Sequence, residues 1–382
     1  MNKFDLMIEG PTVINVDNRQ RGNIYIRDQR IVHIGYLPEA TAQETIPATG
    51  LVAIPGRVES HVHFMDPAEI EREDFITGSA AAAVGGATTV IEHTHAMPIR
   101  TSVELDEKRA YLRDRSYVDF GLAAHVWPDL LGALPDVWRS GAAYFKIFTC
   151  TTHGVPGFTN SELLQAFREI AKLAAPVLIH CEDETITTDN LARLHEKAAA
   201  EIPETLREGR GAAALPNESL SQWRSREAEM TAINSVGLLA RLTGVKAVIA
   251  HASHANAVDL AAWHRAAGAD LSVETCPHYL YLLEDEVIAQ GALRKFTPPA
   301  RARSSWELQE MWRRAAFGPI TYISSDHAPA TAAQKAIGVW DAPFGLPGVE
   351  TTLPLLLDGV CQGYLSWERL VDLTALQPAK LY

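Results

Sequence analysis

The chain has 382 residues, 47% of them apolar and 21% charged, with a formal net charge of −13 and no block of like charge. This composition supports the sizeable core of a soluble enzyme and argues against binding a phosphate backbone, which needs a basic footprint. No run resembles a signal peptide or a membrane span of ~20 apolar residues, and four cysteines without CxxC spacing fit a reduced, cytoplasmic setting.

Residues 1–52 read as a small β domain. FDLMIEG, TVINVD, GNIYIRDQRIVHIG and ETIPAT are short, β-rich and broken by Asn, Asp, Gly and Pro. From Leu51 onward apolar runs alternate with helix-like segments, the pattern of repeated βα units. Eight strands are predicted at 51–63, 87–94, 118–126, 142–149, 175–182, 246–253, 270–277 and 320–326. Thr159 and Glu162 form a capping box ahead of ELLQAFREIAKLAA. Gly244 and Gly268 stand where left-handed helix C-caps belong. The predicted fold is α/β: a (β/α)8 TIM-type barrel over 53–382, not an open doubly wound sheet, with the β domain beside it. Two connections, 183–224 and 327–348, are long enough to act as lids or oligomer contacts. The first contains a charged helix, LARLHEKAAAEI, and the stretch GRGAAALPNES.

Six side chains with metal-binding chemistry end these strands. They are His61 and His63 in VESHVHF, Lys146 in AYFKIFT, His180 in PVLIHCE, His251 in AVIAHAS and Asp326 in YISSDHA. Strand ends converge on one face of such a barrel. His61 and His63 share a strand face, because side chains alternate with a period of two. A lysine in an apolar strand is costly to bury, and a hidden ion pair is the ordinary explanation. Desolvation also lowers its pKa and makes the amine nucleophilic. Lys146 could then take up carbon dioxide as a carbamate, whose two oxygens can bridge two divalent ions. Each residue alone has a structural explanation; their common position at strand ends points to a site. The ligand types suit zinc, manganese, iron, cobalt or nickel, with zinc the first expectation.

The chain resembles the cyclic amidohydrolases: dihydroorotase, allantoinase, hydantoinase and dihydropyrimidinase. The likeness runs from Met1 to Tyr382, through PGRVESHVHF, DFITGSAAAAVGGATTVIE, FKIF, IHCED, SREAEM, AHAS, ETCPHYLYL, KFTPPAR, SDHAP, FGLPGVETTLPLLL and QPAKLY. The resemblance implies a binuclear centre, with His61, His63 and Asp326 on one ion and His180 and His251 on the other. Carboxylated Lys146 would bridge them. It also implies hydrolysis of a C–N amide bond in a cyclic amide or ureide by metal-generated hydroxide. Asp326 would accept the proton and pass it to the departing ring nitrogen. A homo-oligomer, dimer or tetramer, is implied as well. Relatives continue past the equivalent of PAKLY with strands that complete a β-sandwich. A small domain truncated at its C-terminal half, with unpaired edges, is therefore expected.

The substrate side departs from each branch of the family. Dihydroorotases carry an arginine for the substrate carboxylate where this chain has Met65, which offers no cationic fork. His95 stands at the position of their substrate-binding asparagine. Hydantoinases have a tyrosine five residues past the lysine; here it is Thr151. Met65, His95, Thr151 and His278 are the candidate substrate contacts. The leading expectation is an allantoinase- or hydantoinase-like hydrolase of a small cyclic amide with a less acidic, more apolar substituent. The alternatives are a dihydroorotase with altered carboxylate recognition and a non-catalytic oligomeric scaffold. His93 and His95 form a second HxH, for which packing or substrate contact by His95 is expected rather than a further metal. Trp223, Trp306 and Trp340 are candidates for a lid or for helix packing.

Overall fold

The computed structural model describes residues 3–201 and 215–382. Its first seven strands are β1 (Lys3–Glu9), β2 (Thr12–Ile14), β3 (Arg19–Arg21), β4 (Asn23–Arg27), β5 (Arg30–Gly35), β6 (Thr41–Pro47) and β7 (Val52–Ala53). They form two sheets, ordered β5-β4-β1-β6 and β3-β2-β7. Asp28 and Gln29 join β4 to β5 with φ of 52° and 61°, the left-handed pair that a two-residue hairpin turn demands. The outer strands β5 and β6 leave Ile31, Val32 and Ile46 exposed. β7 corrects the first predicted barrel strand, since Val52 and Ala53 pair with Thr12 and Val13 instead. Pro55 lacks a ladder donor, and the barrel strand proper begins at Arg57.

Nine further strands follow: β8 (Arg57–Val62), β9 (Ala87–Glu92), β10 (Asp119–Leu122), β11 (Ala124–His125), β12 (Phe145–Phe148), β13 (Pro176–His180), β14 (Lys246–Ile249), β15 (Leu271–Thr275) and β16 (Tyr322–Ile323). Ala123 alone separates β10 from β11, and its N–H still bonds the Glu92 carbonyl at 2.9 Å. Those two strands therefore occupy one barrel position, and the predicted strand 118–126 is kinked there. Neighbouring strands pair in parallel. β8 and β16 close the ring through an isolated bridge from Val62 to His327, in which His63 N–H bonds the His327 carbonyl at 2.7 Å. The result is a closed parallel (β/α)8 barrel.

β12 and β13 are buried at every residue, as strands covered on both faces must be. Tyr144, Leu178, Val248 and Tyr322 form a small cluster of their own, distinct from the larger core that includes the helices. The helix Asn160–Lys172 carries the predicted capping box and buries Leu163, Ala166, Phe167 and Ile170, a stripe at helical spacing. The helix Arg226–Thr243 ends on Gly244 at φ 71°. Among the described residues no helix is long and apolar enough to cross a membrane.

Both long connections have structure of their own. The first holds the helices Glu184–Glu201 and Ser219–Trp223. Of GRGAAALPNES, the part up to Ala214 lies outside the described residues. In the second, buried Lys335 Nζ donates to the carbonyls of Lys295, Pro343 and Gly345 at 3.1, 2.9 and 2.9 Å. Gly345 has φ 117° and passes so close to the Ala328 carbonyl that a Cβ would collide with it. These contacts set Phe344 over the C-terminal face of the barrel.

Candidate metal and active site

The strand ends bring His61, His63, Lys146, His180, His251 and Asp326 to one cavity. Three of the four imidazoles are held from behind by one ring nitrogen, which decides the nitrogen left for the cavity. His61 Nδ1 donates to Glu274 at 2.9 Å and His63 Nδ1 to the His93 carbonyl at 3.1 Å. Both Nε2 atoms then face Asp326 Oδ1, at 3.0 and 3.3 Å. His180 reverses the arrangement: Nε2 donates to Glu182 at 2.8 Å, and Nδ1 lies 3.0 Å from His251 Nε2. Such outer hydrogen bonds orient metal-binding imidazoles and fix their tautomer. His251 and Asp326 reach the cavity from left-handed backbone, φ 37° and 49°. Non-glycine residues keep that strain where the surroundings over-determine it.

Lys146 is 1% exposed, and its Nζ has no hydrogen-bond partner among the described residues. The hidden ion pair that would ordinarily explain it is therefore missing. Burial lowers its pKa to about 8 against the pull of Glu274 and Asp326. Burial alone would also lower that of His61, but Glu274 and Asp326 overcome it and raise the imidazolium to about 9. At His63 burial wins, and the pKa falls to about 4. Burial would raise the Asp326 carboxyl, yet His61 and His63 hold it well below the usual carboxylate range.

Two buried clusters have ligand atoms within 4.8 Å of one another: His61, His63 and His93, and separately Cys150, His180 and Glu182. In the second, Glu182 is already engaged by Arg224, by Thr297 at 3.1 Å and by Arg301 at 3.4 Å. Two guanidiniums repel a cation, so this cluster is a brace behind His180. The cavity itself, with imidazole nitrogens, a carboxylate and an unpartnered buried amine, fits divalent transition metals.

The predicted substrate contacts fare differently. His95 lines the cavity; Met65, Thr151 and His278 are not part of its lining. Met65 is fully buried, and its sulfur lies 3.3 Å from the Thr94 hydroxyl. Because β8 ends at Val62 and Met65 turns through φ 61°, strand alternation no longer decides which way it points. Thr151 is exposed, with its N–H bonded to Glu184. His278 starts the short helix His278–Tyr281 and packs its ring 4.6 Å from Phe296.

Residues not anticipated complete the wall: His153, Phe148, Thr297 and Phe344. His153 stacks on His95 with centroids 3.9 Å apart and meets Phe344 edge-on at 5.7 Å. Trp223 backs Phe344 at 6.3 Å and touches Trp340 at 5.7 Å, whereas Trp306 is exposed. Glu182 and Glu274 were also missed as braces. Glu274 gives the same signal as Lys146, an ionisable residue ending an apolar strand, LSVET.

No protein-family model matches the chain. It is 33% identical to an allantoinase of Rubrobacter xylanophilus, across 100% of this chain and 82% of that relative. A dihydroorotase of Halobacterium salinarum is 34% identical across 86% of this chain and 72% of its own. Among solved structures, an L-hydantoinase (dihydropyrimidinase) from Arthrobacter aurescens matches with a TM-score of 0.89 at 29% identity. That match covers 99% of this chain and 82% of that one.

Proposed function

Since this chain belongs to the cyclic amidohydrolase family, we propose that it hydrolyses the C–N amide bond of a cyclic ureide, of the allantoin or hydantoin type, at two divalent ions. His61, His63 and Asp326 would hold one ion and His180 and His251 the other. Lys146, carboxylated by carbon dioxide, would lie between them; zinc suits this mixture of nitrogen and oxygen donors. Bound there, the ions supply Lewis acidity and lower the pKa of water at the site.

The observation that carries the reading is Lys146, a buried amine with no hydrogen-bond partner among the described residues and a pKa lowered to about 8. A neutral amine adds to carbon dioxide with loss of one proton, and the carbamate then adds a second negative charge to that of Asp326. Asp326, kept ionised by His61 and His63, accepts the proton of the attacking water and returns it to the departing ring nitrogen. Glu274 and Glu182 hold the ring tautomers. The aromatic wall of His95, His153, Phe148 and Phe344 receives the flat ring and its substituent. No guanidinium lines the cavity among the described residues, which favours a less acidic substituent over the carboxylate of dihydroorotate.

A ring-opening panel of 5-substituted hydantoins, allantoin, dihydrouracil and dihydroorotate, run on protein loaded with zinc and bicarbonate, tests this. Turnover of a hydantoin or allantoin is expected. Fast turnover of dihydroorotate with none of the others would sink the substrate assignment. Protein that stays metal-free after growth in metal and bicarbonate would favour a scaffold. A homo-oligomer is part of the proposal and is measured by sedimentation.

A further inference from the structure

His93 has no part in the chemistry above, yet its ring sits among the ligands. It is 1% exposed and lies just behind the cavity lining, with its centroid 4.5 Å from those of both His61 and His63. Its hydrogen bonds settle its tautomer. The Tyr144 hydroxyl lies 2.7 Å from the Ser60 carbonyl and 2.7 Å from His93 Nδ1. A carbonyl can only accept, so the single phenolic proton goes to Ser60. The phenol oxygen must then accept from the ring, and His93 Nδ1 carries the proton. Nε2 is left with a bare lone pair. That atom is buried and has no partner among the described residues, an arrangement that is costly unless something fills it. Ligand atoms of His61, His63 and His93 lie within 4.8 Å of one another. One ion with bonds of about 2.0–2.1 Å separates its ligand atoms by at most ~4.2 Å, a span this cluster approaches.

We propose that His93 Nε2 is a further ligand to the ion held by His61, His63 and Asp326. The proposal rests on the two-ion reading above and makes its two halves unequal. A third imidazole gives this ion a nitrogen-rich environment, which selects cobalt, nickel or zinc over manganese or magnesium. Tyr144 then does for His93 what Glu274 does for His61: it fixes the ring and its tautomer from behind. The second HxH motif, His93 and His95, divides its labour accordingly, with His93 toward the ion and His95 on the substrate wall.

The test is protein stripped of metal and reloaded with cobalt(II) in bicarbonate, followed by proton NMR. Imidazoles bound to cobalt show strongly shifted, exchangeable N–H resonances, and the Nδ1 proton of His93 is expected among them. H93F should lose that resonance and bind the first cobalt about 10–100-fold more weakly, with the second cobalt retained. Y144F, which keeps the ring but removes its acceptor, should keep the resonance and speed its exchange with solvent. Y144F decides the matter should H93F not fold. An unchanged set of shifted resonances and unchanged cobalt affinity in H93F would overturn the proposal, as would an unshifted His93 proton in the wild type. A wild-type protein that takes up no cobalt overturns the two-ion reading itself. That is a different result from two equivalents bound without His93.

Discussion

The two halves of the centre both place a buried carboxylate behind an imidazole, but they treat its charge in opposite ways. Behind His61, Glu274 has that ring as its one ion-pair partner among the described residues and accepts the His251 N–H at 3.0 Å. Behind His180, Glu182 is gripped by Arg224 and Arg301. Burial opposes a charged His61, but the first carboxylate presents its charge to the ring and, together with Asp326, raises it to about 9. The second is compensated, and burial lowers the pKa of His180. A carboxylate behind an imidazole is thus two different devices. Compensated, it is a strut that sets a tautomer; uncompensated, it loads the ring with a proton that an incoming cation must displace.

Removing what the halves share should have the largest effect. Lys146→Ala is expected to release both ions and to slow ring opening on the order of 10³-fold or more, read by metal analysis and assay. The carboxylates come next. Glu182→Gln strands Arg224 in the interior, while Arg301 keeps Glu229 at 3.0 Å, and should cost about 3–5 kcal/mol in urea unfolding. Glu274→Gln strands no arginine and should instead weaken the His61 ion about 10–100-fold. Equal stability losses in the two variants would erase the contrast.

The proton on His61 gives a smaller, signed effect. Its pKa is raised from 6.5 to about 9 on folding, so its contribution to the stability of the metal-free protein is fully present below pH 6.5. That contribution is lost as pH rises through about 9. Metal uptake by this half runs the other way, strengthening with pH and releasing a proton. Calorimetry in buffers of different ionisation heat should detect that proton, with none from His180. The smallest change expected is in His153→Ala, which removes one face of the stack on His95. KM should rise roughly three- to tenfold with metal content unchanged; loss of metal would show that the wall and the centre are not separable.

Much of this was legible because barrel strands are nearly continuous apolar runs, against which His61, His180, His251 and Lys146 stand out. The capping box at Thr159 and the left-handed cap at Gly244 follow from local chemistry and needed no tertiary context. Met65 lies outside the cavity lining for a geometric reason: β8 ends three residues earlier, and the chain turns there through φ 61°. His153, Phe344 and Tyr144 were invisible because their roles depend on long-range neighbours. Phe344 is placed by two lysines that bond backbone carbonyls, Lys335 at Gly345 and Lys295 at Ala342, and no sequence pattern announces such partners.

The barrel is joined unevenly around its ring. β12 and β13 share four registered pairs, whereas β8 and β16 meet through one bridge. His61 and His63 lie on one side of that seam and Asp326 on the other. An ion held by the three would be a removable cross-link, tying the first barrel strand to the last across nearly the whole length of the fold. Chain-entropy arguments value the closure of so long a loop on the order of 5 kcal/mol. Loading the metal would then be an act of topology as much as of catalysis. Without it the ring should breathe where it begins and ends, and the amides of His63 and His327 should exchange with solvent well before those of β13.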